Sequence, residues 1–208
     1  MNDYWFPYWG GLLLKTTITK ELQKELLDKG KKIIDEKLNY RKELAGMIDK
    51  EYFYPNHKSW FKPYIKTFLN LYENKYMEGW QQSTPHIKKP FNIIDSQLWI
   101  NFQKANEYNP RHNHSGWADL SFVMYLQIPE VLKKENEQSK DKYNNSGAGA
   151  ISFYSGDPLP FSINGFSELP KERDMFIFPS WMMHSVNAFK SDVERISVAG
   201  NITLEKND

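Results

Sequence analysis

From Ser96 onward the chain is a succession of short apolar runs divided by turn residues, and this rhythm limits the fold more than any other feature. Ser96 to Gln103 (SQLWINFQ) alternates as a strand does, with Leu98, Ile100 and Phe102 on one face. Leu120 to Ile128 (LSFVMYLQI) is rich in β-branched and aromatic residues. Ala150 to Tyr154, Asp174 to Pro179 and Arg195 to Thr203 continue the series. Several short strands with regular turns predict a sandwich or jelly roll. Between them, Glu130 to Gly149 is polar, carries Lys133, Lys134 and Lys140, and contains the turn Asn144-Asn145-Ser146-Gly147. It reads as a mobile insertion or lid.

The first part of the chain has a different texture. Asp3 to Leu14 holds Trp5, Phe6, Tyr8 and Trp9 before a Gly10-Gly11 break, and reads as an extended aromatic segment docked on the core. From Thr19 to Leu38, Leu22, Leu26, Leu27, Ile33 and Ile34 recur at helical spacing, with Gly30 weakening the middle. A second helix is predicted from about Ser59 to Tyr76, with Pro63 tolerated near its start and Tyr52 to Pro55 left as loop. The expected architecture is mostly β with packed helices. It is one domain over 1–208, with a helical elaboration over 1–80 packed on a β core over 81–208. Aromatic residues make up 15% of the chain, enough to fill a large core.

Composition excludes several classes. With 27 basic and 26 acidic residues and no block of one sign, a broad nucleic-acid footprint is not indicated. With no cysteine, disulfides and thiolate metal sites are ruled out. A reducing cytoplasm fits that absence. Met1 to Leu14 is too short to span a bilayer and has no basic segment of the signal-peptide kind.

Three of the five histidines lie beyond Ser96, among the predicted strands. His112 and His114 are one residue apart, so on an extended strand both rings point to one side and can reach one cation. A polar loop with two exposed histidines is the plainer alternative. His184 follows the apolar run Phe176 to Met183, where a core or capping histidine is equally in keeping. Arg195 and Ser197 alternate on one strand face, opposite Ile196 and Val198. A guanidinium beside a hydroxyl makes a carboxylate clamp, or else an ordinary surface pair. His57 and His86 have no partner pattern and read as surface or loop residues.

Taken in order, these elements resemble the 2-oxoglutarate and Fe(II)-dependent oxygenases, nearest to uncharacterised bacterial and phage-type members. The matching pieces are Trp99-Ile100-Asn101, His112-Asn113-His114, the strand Ser121 to Leu126, and Phe178-Pro179 through His184 to Arg195-Ile196-Ser197. Trp5-Phe6-Pro7 is similar to the start of that family. The resemblance implies a double-stranded β-helix (jelly roll, cupin-like) preceded by helices. It implies Fe(II) held by His112, His114 and His184, and 2-oxoglutarate held by Arg195 and Ser197, with Asn101 a further polar contact beside Gln103. It implies hydroxylation of a C–H bond in a small molecule or protein side chain, with release of succinate and carbon dioxide. Trp117, Phe122, Phe178 and Trp181 are expected to form a water-excluding aromatic shell.

The sequence departs from the family pattern twice. Best-known members carry a carboxylate where His114 stands, so Asp119 is an alternative third ligand. Several relatives carry a tyrosine at the position of Met124, and Tyr125 faces the opposite side of the strand from Met124, so it is not an obvious replacement. Two other readings stand beside the oxygenase. One is a three-histidine zinc hydrolase or lyase, and the other is a jelly-roll binding protein without catalysis.

Overall fold

The computed structural model describes residues 10–34, 38–79, 87–143, 146–157, 159–160 and 162–207. The aromatic cluster at residues 5–9, Asn144-Asn145 and His86 lie outside these. In chain order the elements are β1 (Leu14–Thr17), α1 (Lys20–Lys32), β2 (Glu51–Phe53), α2 (His57–Trp60), α3 (Lys62–Gly79), β3 (Ile93–Gln103), β4 (Asn109–His112), β5 (Leu120–Gln127), α4 (Val131–Tyr143), β6 (Ile151–Tyr154), β7 (Gly165–Glu168), β8 (Asp174–Pro179), β9 (Met183–Val186) and β10 (Arg195–Leu204).

Helix α1 starts where Thr19 caps it, its Oγ1 accepting from the Leu22 N–H at 3.2 Å. It stops at Lys32, short of the predicted Leu38, with Lys29, Lys31 and Lys32 in a last turn that favours positive charge. Gly30 is a packing contact rather than a weak point. A Cβ there would meet Ile100 Cδ1 at 2.4 Å and the Tyr54 hydroxyl at 2.8 Å. The glycine lets the helix lie directly on β3.

The strands form two antiparallel sheets. The larger runs β1-β8-β5-β10-β3-β2 and the smaller β4-β9-β6-β7. Residues expected to be loop, Tyr52 and Phe53, instead belong to β2, where Glu51 to Phe53 pair with β3. Three residues are too few to show a period, so pairing rather than pattern makes this strand. With β1 on β8, both ends of the larger sheet are supplied by the first part of the chain.

The larger sheet is buried on both faces. Leu98, Ile100, Phe102, Met124 and Val198 pack against Leu22, Leu26, Phe61 and Ile65 from the helices. Val123, Tyr125, Phe176 and Phe178 meet Ile151, Phe153 and Val186 of the smaller sheet. Each large side chain so buried contributes about 1.5–3 kcal/mol. The ring of Phe122 stacks on Phe61 at 5.8 Å in the helix-side core, and the residue also borders the buried cavity beside the histidines.

The polar insertion is an anchored helix. Leu132 of α4 is buried with Ala148 and Phe189. Asn136 Nδ2 donates to the Ala148 carbonyl at 2.8 Å. The Glu135 carboxylate accepts from the Lys190 N–H at 2.6 Å and the Ser191 hydroxyl at 2.6 Å. These ties outweigh the polar composition that suggested a lid. No described helix is long and apolar enough to cross a membrane.

Candidate metal centre

His112 ends β4 and His184 lies within β9. The register of these antiparallel neighbours sets the two residues opposite each other. Their ring centroids are 4.2 Å apart. His114, just past β4, is held by its N–H donating to the Ser180 carbonyl at 2.8 Å. Its ring lies 5.1 Å from His112 and 5.3 Å from His184. One ligand atom from each of the three lies within 4.8 Å of the others.

Electrostatics favour neutral rings. Burial, then the neighbouring His112, lowers the pKa of His184 to about 3 and of His114 to about 4. Burial lowers that of His112 as well. His112 Nδ1 sits 2.7 Å from the Pro110 carbonyl and His184 Nδ1 3.0 Å from the Met182 carbonyl. A carbonyl can only accept, so in each neutral ring Nδ1 carries the proton and Nε2 keeps its lone pair. Neutral imidazoles with converging lone pairs suit a borderline divalent cation.

Beside the rings is a buried cavity lined by Asn101, Tyr125, Arg195 and Ser197 together with the three histidines. A cross-sheet row explains the first two and the last. Asn101 on β3 faces Ser197 on β10, and Ser197 faces Tyr125 on β5. Asn101 Nδ2 donates to Ser197 Oγ at 3.3 Å. Arg195 is 2% exposed, donates to the Gly149 carbonyl at 2.6 Å and to Gln103 Oε1, and forms no ion pair among the described residues. Its guanidinium carbon is 5.4 Å from the Tyr125 ring centre. Arg195 Nε, the Tyr125 hydroxyl and Asn101 Oδ1 are buried without a hydrogen-bond partner among the described residues. Each such group costs about 1–3 kcal/mol, so the cavity is made for a polar guest. A buried cation beside two hydroxyls fits a carboxylate.

Tyr125, which alternation makes no obvious replacement for a tyrosine at position 124, lines this cavity. The alternation with Met124 is as expected, but Met124 faces the helix-side core while Tyr125 faces the cavity. Burial pushes its hydroxyl up to about 12. Asp119 is not available as a third ligand, because its carboxylate accepts from the Leu204 N–H at 2.7 Å and from Lys206. His57 is not a surface residue. It is buried, with Nδ1 3.1 Å from the Tyr54 carbonyl and Nε2 2.9 Å from the Ser96 carbonyl. Of the expected aromatic shell, Phe178 packs 4.9 Å from His184, whereas Trp117 and Trp181 are 77% and 49% exposed.

Comparison with known proteins decides the family. A family model described as "Putative 2OG-Fe(II) oxygenase" matches residues 97–201. The chain belongs to the 2OG-Fe(II) oxygenase family. This oxygenase is therefore an oxidoreductase whose cofactors are Fe(II) and 2-oxoglutarate. The matched span runs from β3 through β10 and includes the three histidines, Tyr125 and Arg195. No curated protein matches the sequence. Among solved structures, a Pseudomonas putida prolyl-4-hydroxylase is similar at 14% identity and TM-score 0.58, covering 92% of each chain. The non-heme alpha ketoglutarate dependent carbocyclase SnoK from nogalamycin biosynthesis aligns at 10% identity and TM-score 0.55, over 94% of the oxygenase and 79% of SnoK. A Trichoplax adhaerens prolyl hydroxylase, solved with a hypoxia inducible factor peptide, gives 9% identity and TM-score 0.54, over 93% and 83%. These likenesses concern the fold.

Proposed function

We propose that this oxygenase is a dioxygenase of double-stranded β-helix fold that hydroxylates a C–H bond of a small molecule or protein side chain, with release of succinate and carbon dioxide. In this reading His112, His114 and His184 hold the iron. Arg195, Ser197 and Asn101 bind 2-oxoglutarate. The observation that carries it is the pairing of two features in one cavity: three neutral imidazoles that converge, and a buried guanidinium with no carboxylate partner among the described residues.

Bound iron and 2-oxoglutarate supply the oxidising chemistry, and the chain supplies place and shelter. His112 and His184 are held by backbone carbonyls with Nε2 free, so little rearrangement precedes metal binding. Arg195 is pinned by Gly149 and Gln103 and keeps Nε for a carboxylate. The Tyr125 hydroxyl is a second donor and takes the role that relatives give a tyrosine at position 124. Phe178 and Phe153 cover the ring of His184 from the core side. With histidine as the third ligand, the site has no negative charge from the protein, so the charge on the metal is balanced by the co-substrate.

The test is succinate formation from 2-oxoglutarate by the purified, iron-loaded protein without added substrate. Turnover that disappears in Arg195→Ala and His184→Ala supports the proposal. Tight zinc with no turnover would support the hydrolase, and failure to bind either metal a binding protein. The hydrolase reading leaves the unpaired groups of Arg195 and Tyr125 without a task.

A further inference from the structure

The polar row on the inner face of the larger sheet does not stop at Asn101. Across the next pairing, Asn101 faces Glu51 of β2. Glu51 is 1% exposed, and its Oε2 has no hydrogen-bond partner among the described residues. It borders an open recess of about 200 Å³ that shares His112, His114 and Trp99 with the Arg195 cavity. Asn109 Oδ1 in the same recess is also buried and unpartnered among the described residues. The two side chains converge at Gly46. A Cβ built there would lie 2.0 Å from Asn109 Oδ1 and 3.4 Å from Glu51 Oε1, so a side chain at position 46 would displace Asn109.

We propose that this recess seats a positively charged nitrogen of the substrate, an amine or a guanidinium, with Glu51 as the specificity-determining residue. The assignment rests on the iron reading only in calling the occupant a substrate. Oxygen atoms of a carboxylate and of an amide carbonyl accept hydrogen bonds, and their complement is an N–H donor. A buried carboxylate without a cation is costly, and a cationic guest removes that cost. Arg41, whose charge works to lower the Glu51 pKa, is itself paired with Asp49 at 2.7 Å. Burial, then the charge of Glu107, pushes the Glu51 carboxyl up to about 8 against the opposing charge of Arg41, and a cationic guest would favour its ionised form. The recess walls include Tyr40 and Trp99, with ring centres 6.2 Å apart, and aromatic faces attract cations. No lysine or arginine lines this recess among the described residues, so a carboxylate-bearing guest belongs with Arg195.

Ligand-observed NMR on the full chain, freed of metal, tests this at pH 8 with n-butylamine, n-butylguanidine, n-butanol and butyrate. Saturable binding of the two cations, at least about tenfold tighter than butanol and lost about tenfold in Glu51→Gln, is the expected result. If Glu51→Gln fails to fold by circular dichroism, Glu51→Asp serves, and a cation preference reduced but still present is expected. Equal binding of all four probes, no binding of either cation, or unchanged binding in the variant overturns the proposal. Succinate formation is measured in parallel on the iron-loaded wild type. If it appears without a cation preference, the Glu51 assignment alone fails. If the preference appears without succinate, the oxygenase mechanism fails and the cation site stands.

Discussion

His112 and His184 face each other across the β4–β9 pairing with their ring centres 4.2 Å apart, and each is held at Nδ1 by the carbonyl two residues before it in sequence. The backbone thus fixes which nitrogen is offered. Replacing His184 by alanine is expected to cut iron or manganese content at least about tenfold, with the circular dichroism spectrum retained. Metal analysis after dialysis checks it.

The acid range offers a second test. The folded pKa values of His184 and His114, about 3 and about 4, lie below the ordinary histidine value of 6.5. Below 6.5 the unfolded chain takes up protons that the folded chain refuses, so the rings' contribution to stability is present above that pH. It is lost progressively as pH falls toward 3. Metal-free protein should melt at lower temperature with each step from pH 6.5 to pH 4, and bound metal should raise the melting temperature at each pH without removing that loss. Thermal scans with and without manganese decide it.

Arg195→Lys should separate binding from metal capture. The lysine keeps a charge but loses the fork that reaches Gly149 and Gln103. A rise of at least about tenfold in the 2-oxoglutarate needed for half-maximal succinate formation is expected, with metal content unchanged. Loss of metal would show that the arginine matters to the fold instead.

Tyr125→Phe removes a buried hydroxyl that has no partner among the described residues, and leaves the ring. Apo stability should be unchanged or higher, by up to about 1–3 kcal/mol. Affinity for 2-oxoglutarate should fall several-fold. Chemical denaturation and calorimetry measure the two effects independently.

Glu51 gives an alkaline signature. Its folded pKa, about 8, lies above the ordinary glutamate value of 4.5. The contribution is complete below 4.5 and is lost as pH rises through 8. Glu51→Gln, which cannot ionise, should therefore melt above the wild type at pH 9 by about 4 °C or more, since 1 kcal/mol corresponds to about 2–4 °C in a domain of this size. Near pH 5 the two should coincide.

Much of this was legible in the sequence, and the losses have physical causes. The alternation of Leu98, Ile100 and Phe102 gave β3 its helix-facing side, and Arg195 and Ser197 share the opposite face of β10 as expected. The three histidines could be named because strand spacing and the order of motifs survive without coordinates. Tyr125 could not. Both faces of β5 are buried, so no polarity marks which one lines the cavity. Glu51 sits in a three-residue strand with no period to read. His57 is buried and its Nε2 lies 2.9 Å from the carbonyl of distant Ser96, a relation that local pattern does not carry. Trp117 and Trp181 misled in the other direction, because a bulky ring near a motif says nothing of whether it is covered.

The row Glu51–Asn101–Ser197–Tyr125 crosses four strands from an acidic end toward a cavity that holds a guanidinium. Opposite poles mounted on one rigid sheet act as a sorter. Above pH 8, where Glu51 is ionised, the two ends carry opposite charge, so under the proposed assignments a dianion is favoured at one and a cation at the other. A site arranged in this way keeps its two guests in their own places without any moving part.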